Sequence, residues 1–264
     1  MNIDLSGKHA VVTGSTGGIG FAIAKGLAGS GASVVINGRA DAKVQQAVET
    51  LKKQVPEATV EGVAADLSNA DGVATFTRRV PEADILVNNL GIFEPKAFED
   101  IPDEDWLRFF ETNVMSGIRM SRAYIPGMKK KDWGRIVFIS SESGLNIPLE
   151  MIHYGMTKTA QIAVARGLAE SLAGTGVTVN AVLPGPTRSE GVVDFFAKLA
   201  KEQGVSQEQM EKDFIAQHRP TSIIRRLATV DEVANMVVYA CSKEASATTG
   251  AALRVEGGLL RSIG

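Results

Sequence analysis

Tyr154 and Lys158 lie four residues apart, so on a helix they share one face and a phenol and an ammonium can point at the same place. A phenol alone titrates near pH ~10, and a cation fixed beside it favours the ionised form and brings proton exchange toward neutral pH. The same spacing also occurs as plain packing, an aromatic ring beside a solvated amine, so the pair gains meaning only from its company. A second stretch with chemical possibilities is Gly14-Ser15-Thr16-Gly17-Gly18-Ile19-Gly20. It follows the apolar run 10–13 and precedes a helical pattern through Ile23, Leu27 and Ala28, with a further apolar run at 33–36. Strand, glycine turn, helix, strand is the arrangement in which free backbone N–H groups and the helix dipole receive a pyrophosphate, and in which glycines allow the close approach. We read Gly14, Ser15, Thr16, Gly18, Ile19 and Gly20 as a dinucleotide site.

The second strand ends in Asn37-Gly38-Arg39. A carboxylate here would bond a ribose 2′-hydroxyl and favour NAD, whereas an arginine attracts a 2′-phosphate. With the acid missing and Arg39 present, the local charge favours NADP, with NAD possible; Arg39 opening a solvated loop is the other reading.

The elements that must position these residues alternate along the whole chain. Further strands are expected at 59–64, 84–87, 135–139, 177–182 and 251–255, and helices at 41–53, 69–80, 103–131, 154–172 and 230–241. This is an α/β fold, a doubly wound parallel sheet of Rossmann-like type forming a single domain over 1–264. Strand ends line the ligand crevice of such a sheet, which puts Asp66 near an adenine and Asn89 near the cofactor's ribose or backbone, unless they serve only as turn or cap residues. Asn113 falls inside the expected helix 103–131, where asparagine is an indifferent helix former and invites a reason. The segment 187–222 is too long for an ordinary connection and reads as a lid insertion with short helices at 192–199 and 207–216.

Composition excludes several function classes. The chain has 264 residues, 44% hydrophobic and 22% charged, with a net charge of -2, the balance of a soluble globular protein without a polyanionic partner. Lys129-Lys130-Lys131 reads as a solvated helix end, not a nucleic-acid patch. A lone Cys241 and three histidines without clustering give no disulfide and no metal spacing. There is no secretory leader pattern and no apolar run of the roughly 18 residues a membrane span needs, so a cytoplasmic location is expected.

Taken together, Thr13-Gly14-x-x-x-Gly18-x-Gly20, Asn88-Asn89-x-Gly91, Asn113, Ser141, Tyr154-x-x-x-Lys158, Pro184-Gly185 and the ending from Thr249-Gly250 to Gly257-Gly258 resemble the short-chain dehydrogenase/reductase family in order and approximate spacing. The resemblance covers essentially the whole chain and is nearest to the compact branch with 3-oxoacyl-acyl-carrier-protein reductases and carbonyl reductases. It implies metal-free, NAD(P)-dependent interconversion of a ketone and a secondary alcohol. Asn113, Ser141, Tyr154 and Lys158 match the catalytic positions, Ser141 being preferred to Ser140 for its distance from Tyr154. The cofactor-binding set is extended by Leu67, Gly91, Pro184, Gly185, Thr187 and Ser189, and by Tyr154 and Lys158 themselves. The family's usual alanine, threonine and aspartate are Leu90, Ser189 and Glu256 here, none of which removes a catalytic group.

The expected chemistry is hydride addition to a carbonyl carbon with Tyr154 as general acid/base, Lys158 lowering the phenol pKa and holding ribose, Ser141 polarising the carbonyl, and Asn113 holding a water that links Lys158 to solvent. Pocket candidates are Glu142, Ser143, Leu145, Asn146, His153, Pro186 and an apolar lid face of Val192, Val193, Phe195 and Phe196. That face suggests a hydrophobic ketone or a 3-oxoacyl thioester; Arg219, Arg225 and Arg226 stand near the lid's end and could meet an acidic carrier. His153 beside Tyr154 reads either as a substrate contact or as an exposed helix start. Alternatives are a non-catalytic cofactor-sensing protein, an epimerase or dehydratase with the same Tyr/Lys pair, and an NAD-dependent alcohol dehydrogenase working oxidatively. Family resemblance further implies a homotetramer built through the two helices bearing Asn113 and Tyr154 and the last strand.

Overall fold

The computed structural model describes residues 2–263, apart from the side chains of Phe195, Leu199, Glu202 and Gln203. Its centre is a seven-stranded, wholly parallel sheet: β1 (His9–Val12), β2 (Ser33–Gly38), β3 (Val60–Ala64), β4 (Ile85–Asn88), β5 (Gly134–Ile139), β6 (Val177–Pro184) and a last strand, Ala252–Val255. Their spatial order, with that strand at one edge, is β3-β2-β1-β4-β5-β6 and then Ala252–Val255. The order reverses between β1 and β4, whose residues pair Ala10 with Ile85 and Val12 with Val87. A crevice opens at such a switch point, beyond the strands' carboxyl ends.

Central strands buried on both faces read as unbroken apolar runs, and β5 and β6 are buried at every residue. On one face α1 (Gly18–Gly29), α2 (Asp41–Gln54) and a helix at Val230–Ala240 cover a core that includes Ile23, Leu27, Val44, Leu51 and Val237. The other face is covered by α3 (Ala70–Arg79), α5 (Ser116–Lys130) and α6 (Ile152–Ser171), over Phe76, Tyr124, Met128 and Phe138. The expected helix over 103–131 is interrupted: α4 (Asp103–Phe110) passes through a π-helical turn at Glu111–Met115 before α5 begins. Asn113 sits in that turn, where π geometry displaces the backbone from regular α bonding.

The lid forms as two helices longer than expected, α7 (Glu190–Gln203) and α8 (Gln207–His218), separated by Gly204 in the left-handed region. They pack on each other through Phe196, Ala200, Met210 and Ile215, with Leu227 beneath, so the lid has a small core of its own. Two short strands, β7 (Thr187–Arg188) and β8 (Ala228–Thr229), pair at its base. These precede α9 (Val230–Ala240) and β9 (Ala252–Val255), the last helix and strand of the two layers above. Among the described residues no helix is long and apolar enough to cross a membrane.

Candidate active site

The glycine turn leaves β1 with Gly14 and Gly18 at φ +60° and +57°, and α1 starts with no side chain capping its first N–H groups. Uncapped N–H groups at a helix start attract an anion. A Cβ on Gly20 would lie 2.4 Å from Asn89 Nδ2 and 2.6 Å from the Gly14 carbonyl oxygen, so this cradle closes only around glycine. Asn89 Nδ2 donates to the carbonyls of Thr13 and Gly14, both at 2.9 Å, while Thr13 Oγ1 accepts from the N–H groups of Asn89 and Leu90. Ser15 is fully buried and its hydroxyl donates to Val12 O at 2.7 Å, so its side chain is a strut; Thr16 and Ile19 stay partly exposed at the turn. These features fit a dinucleotide phosphate.

At the ribose end Asn37, where an acid would select NAD, is buried and structural. Its Oδ1 accepts from Gly14 N at 3.1 Å and its Nδ2 donates to Val63 O and Ala65 O. Arg39 is exposed just past β2. Lys43, which the sequence reading passed over, joins Thr16, Gly17 and Phe21 around a cleft of about 330 Å³ beside the turn; its spacing of four from Arg39 at the start of α2 was the available signal. Asp66 Oδ1 accepts from the N–H and hydroxyl of Ser68, making a turn at the end of β3. Leu67 points into the core, 1% exposed, and presents only its backbone to a ligand.

Past β6, Gly185 N donates to Val255 O at 3.0 Å, and a Cβ on Gly185 would lie 2.9 Å from the Glu256 Cα. Thr187 Oγ1 donates to Gly185 O at 2.8 Å. Ser189 and Glu190 then lie against the glycine turn: Cβ atoms built on Gly18 and Gly17 would meet Ser189 Cβ at 3.5 Å and Glu190 Oε2 at 3.3 Å. The cradle and the root of the lid are therefore in contact.

The catalytic candidates meet where β5 and α6 come together. Ser140 and Ser141 divide their work: Ser140 Oγ donates to Lys158 O at 2.8 Å, whereas Ser141 faces the Tyr154 phenol and its Oγ accepts from Ser143 N at 3.1 Å. Lys158 is buried with Nζ 5.5 Å from the centre of the Tyr154 ring, donating to Ile139 O at 3.0 Å and to Gln161 Oε1 at 3.1 Å. A Cβ on Gly91 would lie 3.4 Å from Lys158 Nζ and 3.5 Å from Asn113 Oδ1, which draws Gly91 and Asn113 into the same cluster.

Burial governs both titrations. Desolvation pushes the Tyr154 phenol up to about 12, drawn back in part by the Ser141 hydroxyl, and pushes Lys158 down to about 7. In the chain by itself the groups that lower the Tyr154 pKa are the Ser141 hydroxyl and, more weakly, the Arg219 charge; the lowering expected from Lys158 is not among them. Asn113 Oδ1 accepts from Ile92 N at 2.8 Å, and its Nδ2 donates to Ile92 O and Thr157 Oγ1, each at 3.0 Å. Its own carbonyl accepts from Gln161 Nε2 at 2.7 Å. The buried amide of Gln161 joins Asn113 and Lys158 directly, accepting from Lys158 Nζ and donating to the Asn113 carbonyl. Sequence reading missed Gln161; a polar residue three positions after Lys158, on the buried face of α6, was the signal.

The pocket candidates scatter. His153 is neither exposed nor open to substrate: it is fully buried, its ring 4.0 Å from that of Phe109 and 5.9 Å from that of Trp106, with burial lowering its pKa. Phe196 turns into the lid core with Val192 packed on it, and the side chain of Phe195 lies outside the described residues. Two members of the expected apolar wall, Phe196 and Val192, are thus spent on the lid's own packing. Arg226 pairs with Glu232 at the start of α9, leaving Arg219 as the lid arginine that enters the site, bonded to Glu142.

A family described as Enoyl-(Acyl carrier protein) reductase matches residues 14–260. The oxidoreductase YvaG of Bacillus subtilis is 48% identical over 263 residues, covering 100% of both chains. A D-beta-hydroxybutyrate dehydrogenase of Cupriavidus necator is 35% identical, with 96% of this chain and 98% of that protein covered. Among solved structures, the L-sorbose reductase of Gluconobacter frateurii, complexed with NADPH and L-sorbose, superposes with a TM-score of 0.94 at 31% identity, covering 100% of both chains.

Proposed function

The chain belongs to the short-chain dehydrogenase/reductase family of oxidoreductases, and we propose that within it the protein reduces ketones to secondary alcohols with NADPH, Tyr154 acting as general acid. The observation that supports this most is the convergence of Ser141, Tyr154 and Lys158 beside Gly91, at the sheet edge that also carries the glycine turn. A cofactor-sensing protein has no use for that convergence.

Bound NADPH would supply the hydride. The uncapped start of α1 would hold its phosphates, and Arg39 and Lys43 would hold the 2′-phosphate by charge. Ser141 donates a hydrogen bond to the carbonyl oxygen and prepares it for the proton that Tyr154 delivers from its hydroxyl. Lys158, its pKa lowered to about 7 by burial, would hold the ribose hydroxyls of a bound cofactor and, in its protonated form, favours the ionised Tyr154 left once the proton is delivered. Gln161 holds Lys158 at this task from one side and the Ile139 carbonyl from the other. A primary amide does not readily pass protons on, so Gln161 serves to fix the ammonium.

The relatives act on unlike carbonyl compounds and the lid spends its apolar residues internally, so the substrate is argued separately below. Leu107 and Phe98, 66% and 58% exposed on and beside α4, suit the expected homotetramer, which scattering in solution would measure. The test of the reaction is a ketone panel with NADPH and NADH in parallel. Oxidation of NADPH dependent on ketone is expected; a strong preference for NADH would defeat the role given to Arg39, and no turnover with any ketone would defeat the reductase.

A further inference from the structure

Glu142 follows Ser141 directly, in the short 3-10 turn Glu142–Gly144 that the Ser141 side chain caps. It is 2% exposed. Arg219, at the end of α8, reaches it from the lid, donating from Nε to Oε1 at 3.0 Å and from Nη1 to His218 O at 2.8 Å. The second carboxylate oxygen, Oε2, is buried, and among the described residues no donor meets it with hydrogen-bond geometry. Burial raises the pKa of the carboxyl, against which Arg219 and the nearby Ser143 hydroxyl favour the charged form. Glu142 and Arg219 both act on the Tyr154 phenol, in opposite senses, so the pair stands next to the place where the carbonyl is protonated. A buried acceptor left without a donor is destabilising, and a substrate group that donates to it recovers that cost.

The neighbours of Oε2 narrow what that group is. A carboxylate or phosphate would meet the like charge of Glu142, and an ammonium would meet Arg219. An alkyl arm would leave Oε2 unpaired. A hydroxyl is neutral, donates to Oε2 and accepts from the guanidinium.

We propose that Glu142, held by Arg219, recognises a hydroxyl on the carbon next to the reacting carbonyl, so that the substrates are hydroxy ketones of the ketose kind and not simple ketones or 3-oxo acids. The proposal rests on the ketone-reductase reading and adds the group that selects among ketones. It takes the place of the hydrophobic ketone and the 3-oxoacyl thioester expected from the lid's apolar residues, of which Phe196 and Val192 pack in the lid core.

The test compares three ketones with the full chain and NADPH: hydroxyacetone, butanone, which puts a methyl in place of the hydroxyl, and methoxyacetone, which keeps the oxygen without its proton. We expect kcat/KM for hydroxyacetone to exceed that for each of the others by at least about tenfold, since a site built to bond a hydroxyl rejects analogues lacking it. Equal values would overturn the proposal. Glu142→Gln keeps an acceptor for Arg219 and turns Oε2 into an amide donor, so the hydroxyacetone-to-methoxyacetone ratio should drop by about tenfold or more; an unchanged ratio in a folded variant also overturns it. The wild-type comparison stands alone if that variant fails to fold. Should none of the ketones oxidise NADPH, the reductase reading falls separately, and calorimetric titration of hydroxyacetone against butanone still decides the hydroxyl: tighter binding of hydroxyacetone by about tenfold supports it, equal binding overturns it.

Discussion

The sheet edge that carries Tyr154 and the lid over 187–222 contribute to one site by opposite means. At the sheet edge the amide side chains are each held by several others: Asn89 by two carbonyls of the glycine turn, Asn37 by both neighbouring strands, Asn113 by Ile92, Thr157 and Gln161. The lid is held to the rest at few points, among them the Thr187 pairing with Ala228, Arg219 on Glu142, and Thr221 Oγ1 on Leu259 O, and it packs chiefly on itself. Protonating a carbonyl demands the same geometry for any ketone, so those groups are locked into the fold's main core. Selecting the ketone demands something else, and there the sheet edge shares the work with an attachment that can differ while the sheet stays unchanged: Arg219 of the lid holds Glu142 beside Ser141.

The sharpest way to break this comparison is at Tyr154. Tyr154→Phe keeps the ring and removes the proton donor, so kcat should fall by at least ~10²-fold while NADPH affinity, read by fluorescence titration, holds within a few fold. Near-normal turnover would remove Tyr154 from the chemistry. Next come paired truncations of one buried phenylalanine in each region. Phe138→Ala, in β5, should lower global stability by about 3–5 kcal/mol in chemical denaturation. Phe196→Ala, in the lid core, should leave the main unfolding transition nearly in place and instead raise KM and expose α7 to protease. A fall in global stability equal to that of Phe138→Ala would mean that the lid is part of the same cooperative unit.

Lys158 offers a pH test of how strongly the sheet edge is desolvated. Its pKa is lowered from 10.5 to about 7 by burial, so across that window the unfolded chain binds a proton that the folded chain does not. Folding is penalised as pH falls through the window, fully below about 7 and not at all above 10.5. Lys158→Met removes the penalty, so its Tm relative to the parent should be higher at pH ~6 than at pH ~10, by an amount on the order of a few kcal/mol in stability. The same difference at both pH values would show Lys158 to be well solvated. The smallest expected effect is at Arg39, outside both regions: Arg39→Ala should weaken NADPH about tenfold, with NADH unchanged, in parallel titrations. A loss shared equally by both cofactors would assign Arg39 to general stability.

Sequence patterns carried most of the sheet edge and, in the lid, its two helices but not which of their residues turn inward. β1 through β6 are local apolar runs, and the glycine turn and the Tyr154–Lys158 spacing are local as well, so a reading along the chain reaches them. Three features depend on groups far apart. Glu142 and Arg219 are separated by 77 positions; His153 is buried only because α4 lays Phe109 and Trp106 over it; Phe196 faces inward because α8 folds back on α7. Asn113 shows the limit within one helix: its residue type signalled an irregularity, but hydrogen-bond phase in the backbone is not written in side-chain spacing.

That π turn also sets how this chain can vary in length. Glu111–Met115 contains one residue more than the α-helix on either side would need, and Asn113 reaches Ile92 from within it. Losing any single codon between these positions would let the helix run through without interruption. α5 would keep its buried side toward the sheet, because the wide turn is what absorbs the extra residue, and the placement of Asn113 against Ile92 would be lost. Within a regular helix one missing residue turns everything beyond it by about 100° about the axis; here the loss falls on the site and not on the packing of the helix. An insertion that other helices would shed is held in place by the site that depends on it.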